Sequence, residues 1–140
     1  DSSLYNASRA GVKIQMIVRG ICCLIPGHKS MSENIKVISI VDRFLEHTRF
    51  MIFNNNNDNK VFISSADWMT RNLDNRVEVT CPILQEDLKK EILDIFNIYW
   101  SDNIKSRLVN SNSKSRITNQ KSFRSQEKMY NYYLNKIEAL

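Results

Sequence analysis

Apolar and polar positions along the chain predict a helix, a series of strands and then two more helices. Residues 2–10 are typical of a short helix that stops at Gly11. Residues 12–18 alternate, with apolar side chains on one face, and residues 35–41 are apolar and β-branched, so both segments are predicted to be strands. The order of these elements predicts an α/β layered domain.

The middle of the chain has the pattern of a β-hairpin. Residues 45–53 and 60–64 are rich in apolar side chains and flank the polar stretch 54–59, whose asparagines tolerate left-handed backbone conformations. Residues 76–81 alternate as a further short strand, which Pro82 is expected to end.

Two helices are predicted towards the C-terminus. Apolar side chains recur at helical spacing from Leu84 to Trp100 and predict an amphipathic helix of about four turns. Residues 103–125 form a basic segment with six cations and no acid, and we expect it to be exposed or mobile. A closing helix over residues 126–140 is expected to dock back on the body of the domain.

Length and composition are those of an ordinary soluble protein. The chain has 140 residues, of which 42% are hydrophobic and 25% charged, and we predict a single domain over residues 1–140. No stretch approaches the roughly 20 apolar residues that cross a bilayer, and we expect no signal peptide. Because the first residue is Asp1 rather than methionine, we expect a piece of a larger protein.

Cysteine content and net charge indicate the redox compartment and the kind of binding partner. Three cysteines, two of them adjacent, make neither a disulfide framework nor a zinc site, so we expect reduced thiols in a cytosolic protein. The net charge of +5 favours an anionic partner without saying which one.

The most informative polar residues are His47 and Arg49. Residues 44–50 are predicted to be a strand, and residues two apart on a strand face the same side, so the two side chains are expected to share a face. An imidazole gains and loses a proton near neutral pH, which suits it to acid–base chemistry. The alternative is a structural histidine. His28 lies in a Pro-Gly loop and is expected to be only solvated.

Arginines supply further candidates. Residues 64–72 place hydroxyls, a carboxylate and Arg71 just after a strand, and Arg19 follows strand 12–18, at the end where open α/β sheets bind ligands. The planar fork of arginine donates two parallel hydrogen bonds to phosphate. In the alternative, Arg19 is a surface residue and Arg71 or Arg76 pairs with a nearby aspartate. These patterns predict a phosphate-handling α/β domain.

Four segments resemble, in order, those of the C-terminal domain of bacterial-type polyphosphate kinases: GVKI at 11–14, IVRGICCLIPG at 17–27, RFLEHTR at 43–49 and SSADWMTRN at 64–72. The resemblance implies an α/β fold of the phospholipase D-like type, a layered domain with a central mixed β-sheet flanked by helices. In phospholipase D relatives an H-x-K motif is followed by a G-S-x-N-like segment. Here Arg49 stands for the lysine and Asp67 for the asparagine, which argues against phosphodiester cleavage.

The resemblance also implies a reaction. Members of the family transfer the terminal phosphate of ATP reversibly to polyphosphate through a phosphohistidine, with magnesium (Mg2+), and the phosphorylated histidine lies in the preceding domain. His47 resembles the supporting acid/base histidine. Arg19 and Arg76 resemble ATP- and phosphate-binding residues, with Arg71 and Arg49 as further contacts. Magnesium is expected to be held mainly by ATP and by residues outside this chain.

The same resemblance implies the partners. These are ATP or ADP, inorganic polyphosphate, the preceding domains of the parent chain and further copies of that parent, without nucleic acid or an integral membrane segment. The expected location is cytoplasmic, with peripheral membrane association as an option, and the chain is expected to be inactive alone. Two other functions stay open: a phospholipase D-like phosphodiesterase that completes its site by dimerisation, and a polyanion- or nucleic-acid-binding module that uses the basic segment.

Overall fold

The computed structural model describes residues 2–109 and 121–139. Its helices and strands follow one another as α1 (Ser2–Arg9), β1 (Ile14–Ile17), β2 (Ile35–Ile40), β3 (Phe50–Phe53), β4 (Lys60–Ser64), α2 (Thr70–Asn75), β5 (Thr80–Ile83), α3 (Glu86–Trp100), β6 (Ser106–Leu108) and α4 (Ser125–Glu138). The predicted α/β class is confirmed. Contacts divide the chain into two compact units, one of Asp1–Glu46 with Ile98–Leu140 and one of His47–Asn97. This division does not test whether residues 1–140 form a single domain, which stays a prediction.

The first unit contains a mixed sheet of three strands in the order β1-β2-β6. The central strand β2 runs parallel to β1 and antiparallel to β6. Its Ile35, Val37, Ile38 and Ile40 are all buried, because a central strand is covered on both faces. Ile35 and Val37 form the core together with Leu24. This arrangement explains why residues 35–41 are apolar without strict alternation.

The second unit contains an antiparallel sheet in the order β3-β4-β5. Strands β3 and β4 pair from Phe50 opposite Ile63 to Phe53 opposite Lys60. The turn between them holds Asn56 and Asn57 at φ of 52° and 67°, which is left-handed backbone that asparagine adopts more readily than most residues. The hairpin predicted from the sequence is therefore confirmed.

The long helix predicted from apolar spacing is also confirmed, as α3. Glu86 and Asp87 lie in its first turn, where carboxylates interact favourably with the helix dipole. Phe96 packs edge-to-face on Phe50 of β3, with ring centroids 6.4 Å apart.

Two strand predictions have wrong boundaries. Strand β3 begins at Phe50, so His47 precedes the strand, although the backbone N–H of Ser64 still donates to the carbonyl of Arg49. Strand β5 begins at Thr80 rather than at residue 76, and it continues through Pro82 instead of ending there. Proline lacks an N–H to donate, and it is tolerated here because β5 is at the edge of its sheet.

Two short elements were not predicted. Helix α2 has six residues and no side-chain cap at its start, and β6 has three residues inside the predicted basic segment. Both are too short to show a period in the sequence. Residues 110–120 of the basic segment, predicted to be exposed or mobile, lie outside the described residues. The closing helix is confirmed as α4, and within the described ranges no helix is long and apolar enough to cross a membrane.

One buried carboxylate joins the start of β6 to the start of α4 within the first unit. The Oδ1 atom of Asp102 accepts hydrogen bonds from the backbone N–H groups of Ile104, Lys105 and Ser106, at 3.0, 2.7 and 3.0 Å. Its Oδ2 accepts from both the N–H and the hydroxyl of Ser125, each at 2.7 Å. Burial alone raises the pKa of this carboxyl, but these hydrogen bonds outweigh it and hold the pKa below its ordinary value. Asp102 is therefore an ionised, fully satisfied anchor.

Candidate functional site

His47 and Arg49 are in contact, as their spacing predicted, although both precede strand β3. Arg49 Nη2 lies 3.0 Å from His47 Nε2, and Arg49 Nη1 lies 3.4 Å from His47 Nδ1. An arginine can only donate, a neutral imidazole has one accepting nitrogen and an imidazolium has none, so at most one of these two contacts is a hydrogen bond. The two ring nitrogens point in diverging directions. A guanidinium that contacts both of them therefore lies against the ring as a whole rather than beside a single nitrogen. The imidazole stays exposed to solvent.

The other edge of the Arg49 guanidinium is bound by Asp67. Arg49 Nε lies 2.7 Å from Oδ1 of the carboxylate and Nη2 lies 3.1 Å from Oδ2, a two-point ion pair of the kind that fixes orientation as well as charge. The Asp67 hydrogen bonds raise the pKa of Arg49 above its ordinary value, and desolvation opposes them. The cation beside His47 is therefore permanent and held in place.

The segment that carries Asp67 is held by a second carboxylate, Glu78. The hydroxyl of Ser65 donates to Glu78 Oε2, and Asn72 Nδ2 donates to Oε1 at 3.0 Å. These two hydrogen bonds, Ser65 first, lower the pKa of Glu78. Ser65 also accepts from the backbone N–H of Val79 at 2.9 Å. Since Asn72 is buried and lies in α2, the network joins this helix to the ends of the two neighbouring strands.

The hydroxyl of Ser64 fixes the same turn from its other side. It accepts from the backbone N–H of Ala66 at 3.1 Å and shares a hydrogen bond with the hydroxyl of Thr80 at 2.9 Å. Each hydroxyl of the segment 64–67 therefore bonds within the second unit, which places the turn before Asp67 in one conformation.

Arg71 and Arg76 occupy opposite ends of the short helix α2. Arg71 is in its first turn and Arg76 is the residue after its end, and both are exposed. Arg76 is close enough to Glu78 for its charge to contribute to the lowered pKa of that carboxyl. The Asp67 carboxylate, considered from the sequence as a partner for Arg71 or Arg76, is bound by Arg49.

Arg19 belongs to the first unit and follows β1 as predicted. Its Nη1 donates to the backbone carbonyl of Glu46 at 2.7 Å. Arg19 therefore holds the segment that follows β2, residues 42–46, which ends one position before His47 in the chain.

The start of α4 binds the same segment. Arg124 forms a two-point ion pair with Asp42, with Nε–Oδ2 and Nη2–Oδ1 distances of 2.8 and 2.7 Å. The side-chain amide of Gln126 accepts from the N–H of Phe44 at 3.1 Å and donates to its carbonyl at 2.9 Å. The Arg124 guanidinium lowers the pKa of Asp42, whose side chain is only 2% exposed. Arg124, counted above among the cations of the basic segment, is thus an ion-paired anchor.

Two ion pairs, Arg124–Asp42 and Arg49–Asp67, were not predicted from the sequence. Asp42 and Arg124 are 82 positions apart and share no local pattern. For Arg49 and Asp67 a signal was present: the motif departs from lysine to arginine and from asparagine to aspartate at the same time. Only the second departure adds a charge, a negative one in a motif that keeps a cation at position 49, and such opposite charges predict the pair that the structure contains.

Comparison with known proteins decides the family. The family model described as "Polyphosphate kinase C-terminal domain 2" matches residues 2–128. The chain belongs to the polyphosphate kinase family. The assignment made from the four sequence motifs is therefore confirmed.

Individual members of the family are similar over nearly the whole chain. The polyphosphate kinase of Vibrio parahaemolyticus is 54% identical over 135 residues, which cover 94% of this chain and 19% of that protein. The polyphosphate kinase of Escherichia coli K12 is 48% identical over 132 residues, or 92% and 19% of the two chains. The chain thus spans about a fifth of the length of these curated relatives.

A solved structure shows the same fold. The crystal structure of polyphosphate kinase from Porphyromonas gingivalis aligns with a TM-score of 0.93 and 46% sequence identity, over 98% of this chain and 22% of that chain. This likeness confirms the predicted phospholipase D-like α/β fold. Among the described residues its strands form two sheets, of which the one in the first unit is mixed. The substrate roles of Arg19, His47, Arg49, Arg71 and Arg76 stay predictions.

Proposed function

We propose that this chain is the part of a polyphosphate kinase that supplies the supporting half of the active site. The full enzyme transfers the terminal phosphate of ATP reversibly to inorganic polyphosphate. In the first step a histidine outside this chain attacks the γ-phosphorus, a nitrogen–phosphorus bond forms, and the bond to the bridging oxygen of ADP breaks. In the second step a terminal oxygen of polyphosphate attacks the phosphohistidine, and the histidine leaves.

The observation that carries this proposal is an exposed imidazole beside a guanidinium that is itself held by a carboxylate. His47 is open to solvent and its neighbour Arg49 is fixed by Asp67, so an acid–base group stands oriented without being buried. In this role the imidazolium form of His47 gives a proton to the oxygen that leaves with ADP, and the neutral ring takes it back in the reverse direction.

Arginines outside the pair neutralise the substrates. Arg19, Arg71 and Arg76 are the residues that we assign to ATP and polyphosphate, because phosphoryl transfer is accelerated mainly by positioning and by charge stabilisation. Arg71 and Arg76 are both exposed at the ends of α2 and so are accessible to a polyanion. Arg19 also orders the segment that precedes His47 through the carbonyl of Glu46.

Magnesium is better supplied with ATP than held by this chain. Across the described ranges, 2–109 and 121–139, no group of three histidine, cysteine or acidic side chains is arranged to hold a metal ion. The two carboxylates of the second-unit site, Asp67 and Glu78, are already engaged by Arg49, Ser65 and Asn72. We therefore assign Mg²⁺ to the ATP phosphates and to residues of the preceding domains.

The decisive experiment replaces His47 by alanine in the full-length parent enzyme. We expect polyphosphate synthesis to fall by about 100-fold or more, which is the usual contribution of a general acid or base. Phosphohistidine formation from radiolabelled ATP and polyphosphate synthesis are measured separately. His28→Ala is the matched control, because His28 is an exposed loop residue whose Nδ1 contacts the carbonyl of Lys29. Unchanged synthesis in His47→Ala would remove His47 from the mechanism.

The isolated 140-residue chain is expected to make no polyphosphate from ATP and Mg²⁺, because the nucleophilic histidine is outside it. Synthesis by this chain would show that the site is complete and the assignment wrong. Turnover of a phosphodiester by the isolated chain, lost in His47→Ala, would favour a phosphodiesterase that completes its site by dimerisation. We propose the preceding domains and further copies of the parent as partners, and the cytoplasm as the location.

A further inference from the structure

We propose that Arg49 and Asp67 form a positioning pair for His47, an inference that rests on the function proposed above. Asp67 fixes the guanidinium of Arg49, and the guanidinium in turn sets the orientation of the imidazole. The resemblance to other polyphosphate kinases suggested Arg49 as one more phosphate ligand. The contacts of its donors assign it a different role.

The donors of Arg49 are directed at protein groups. Nε and Nη2 face the two carboxylate oxygens of Asp67, at 2.7 and 3.1 Å. Nη2 and Nη1 also lie against the two ring nitrogens of His47, at 3.0 and 3.4 Å. The edge of the fork that would grip a phosphate bidentately is therefore occupied by a carboxylate.

The side chain of Arg49 is also largely shielded from solvent, unlike an arginine that is accessible to a polyanionic substrate. Its side chain is 19% exposed and that of Asp67 is 27% exposed, whereas His47 is open to solvent. Both members of the ion pair are therefore less exposed than the imidazole that the guanidinium contacts.

The position of Asp67 is itself defined by its neighbours in the chain. Two hydrogen bonds hold the turn that leads to Asp67. The hydroxyl of Ser64 accepts from the backbone N–H of Ala66, and the hydroxyl of Ser65 donates to the carboxylate of Glu78. The hydrogen-bonded turn at the end of β4, the Asp67–Arg49 ion pair and the Arg49–His47 contact therefore follow one another from the sheet to the imidazole. Such a series of contacts restricts the ring to a narrow range of orientations, and a misplacement of about 1 Å costs on the order of 100-fold in rate.

Two substitutions in the full-length parent enzyme test the pair. Asp67→Asn removes the charge that holds Arg49, and Arg49→Lys keeps the positive charge but removes the planar fork. We expect each to lower kcat for polyphosphate synthesis by roughly 10- to 100-fold, with KM for ATP and for polyphosphate changed by less than about 2-fold. Asp58→Asn is the matched control, since it breaks an aspartate ion pair with Lys60 in the same unit, at the β3–β4 turn.

A phosphate-binding role for Arg49 gives the opposite pattern. Arg49→Lys would then keep most of its kcat, and the loss would appear in KM for polyphosphate. Asp67→Asn would release Arg49 towards the substrate, so KM would fall or stay unchanged while kcat held. Either result would overturn the positioning role.

Coupling to His47 separates positioning from general stability. If Asp67 acts through His47, adding Asp67→Asn to His47→Ala lowers kcat by less than about 2-fold further. If the pair only stabilises the fold, the two losses multiply and the melting temperature falls with them, which refutes the inference and leaves the proposed function standing. If His47→Ala alone keeps full activity, the proposed function has failed. Arg49→Lys with His47→Ala repeats the test should Asp67→Asn not fold.

Discussion

Asp102 illustrates at the scale of one residue how a buried charge becomes a structural anchor. It is fully buried, yet five donors from three following residues and from Ser125 satisfy its two oxygens. Unpaired, such a carboxylate would cost several kcal/mol to bury. Its pKa, held below the ordinary value by those hydrogen bonds against the effect of burial, shows that the ionised form is the one that the fold stabilises.

We therefore predict that Asp102→Asn destabilises the protein by about 1–3 kcal/mol at neutral pH, because an amide nitrogen cannot accept from these donors. The folded-state pKa of Asp102 is lowered, so its contribution is complete above the unfolded value, 3.8, and disappears as pH falls through the folded value. Unfolding midpoints of the full-length enzyme and the variant, followed from pH 7 downwards, should converge in acid. Asp74→Asn, at an exposed position of α2, is the control, and a constant gap at all pH values would contradict the account.

At the scale of elements, α4 matters through the two side chains at its start. Arg124 and Gln126 bind Asp42 and Phe44, while Arg19 binds the carbonyl of Glu46 from the end of β1. A segment without regular structure is thus held by a helix and by the end of a strand within the first unit. Loop backbone of this kind is ordered by side-chain hydrogen bonds in place of a ladder.

We predict that Gln126→Ala speeds amide hydrogen exchange in residues 42–46, because the N–H of Phe44 loses its acceptor. Peptides from the full-length enzyme, analysed by mass spectrometry, should show this change while peptides of β2 keep their protection. Asn131→Ala, at an exposed position of the same helix, serves as the control. Equal exchange in residues 42–46 of both variants would mean that Arg19 and Arg124 suffice to hold the segment.

The whole chain shows which features local sequence patterns can predict. Helix α3 and the β3–β4 hairpin were predicted because apolar spacing and turn asparagines are local signals. The start of β3 was placed too early, because residues 45–49 contain no turn residue that would mark the beginning of the strand, although only Arg49 joins the ladder. The His47–Arg49 contact was predicted from spacing alone, and the four motifs gave the family.

Pairing between distant segments was not predicted from local sequence patterns. The division of the strands into two sheets, the Arg49–Asp67 pair and the anchors at Asp42 and Asp102 all join segments whose separation leaves no period in the sequence. Charge complementarity is a signal that such pairs can leave, as where Asp67 adds a negative charge to a motif that keeps a cation at Arg49.

The pair between Asp42 and Arg124 has a consequence for synthesis on the ribosome. The two residues are 82 positions apart, and at about 5–20 residues per second Arg124 is added roughly 4–16 s after Asp42. During that interval the nascent chain already contains the residues around His47, but the guanidinium and amide that fasten residues 42–46 do not yet exist. The segment in front of His47 therefore reaches its final conformation only after Arg124 has been added, when the core strands β1 and β2 have long been available to pair.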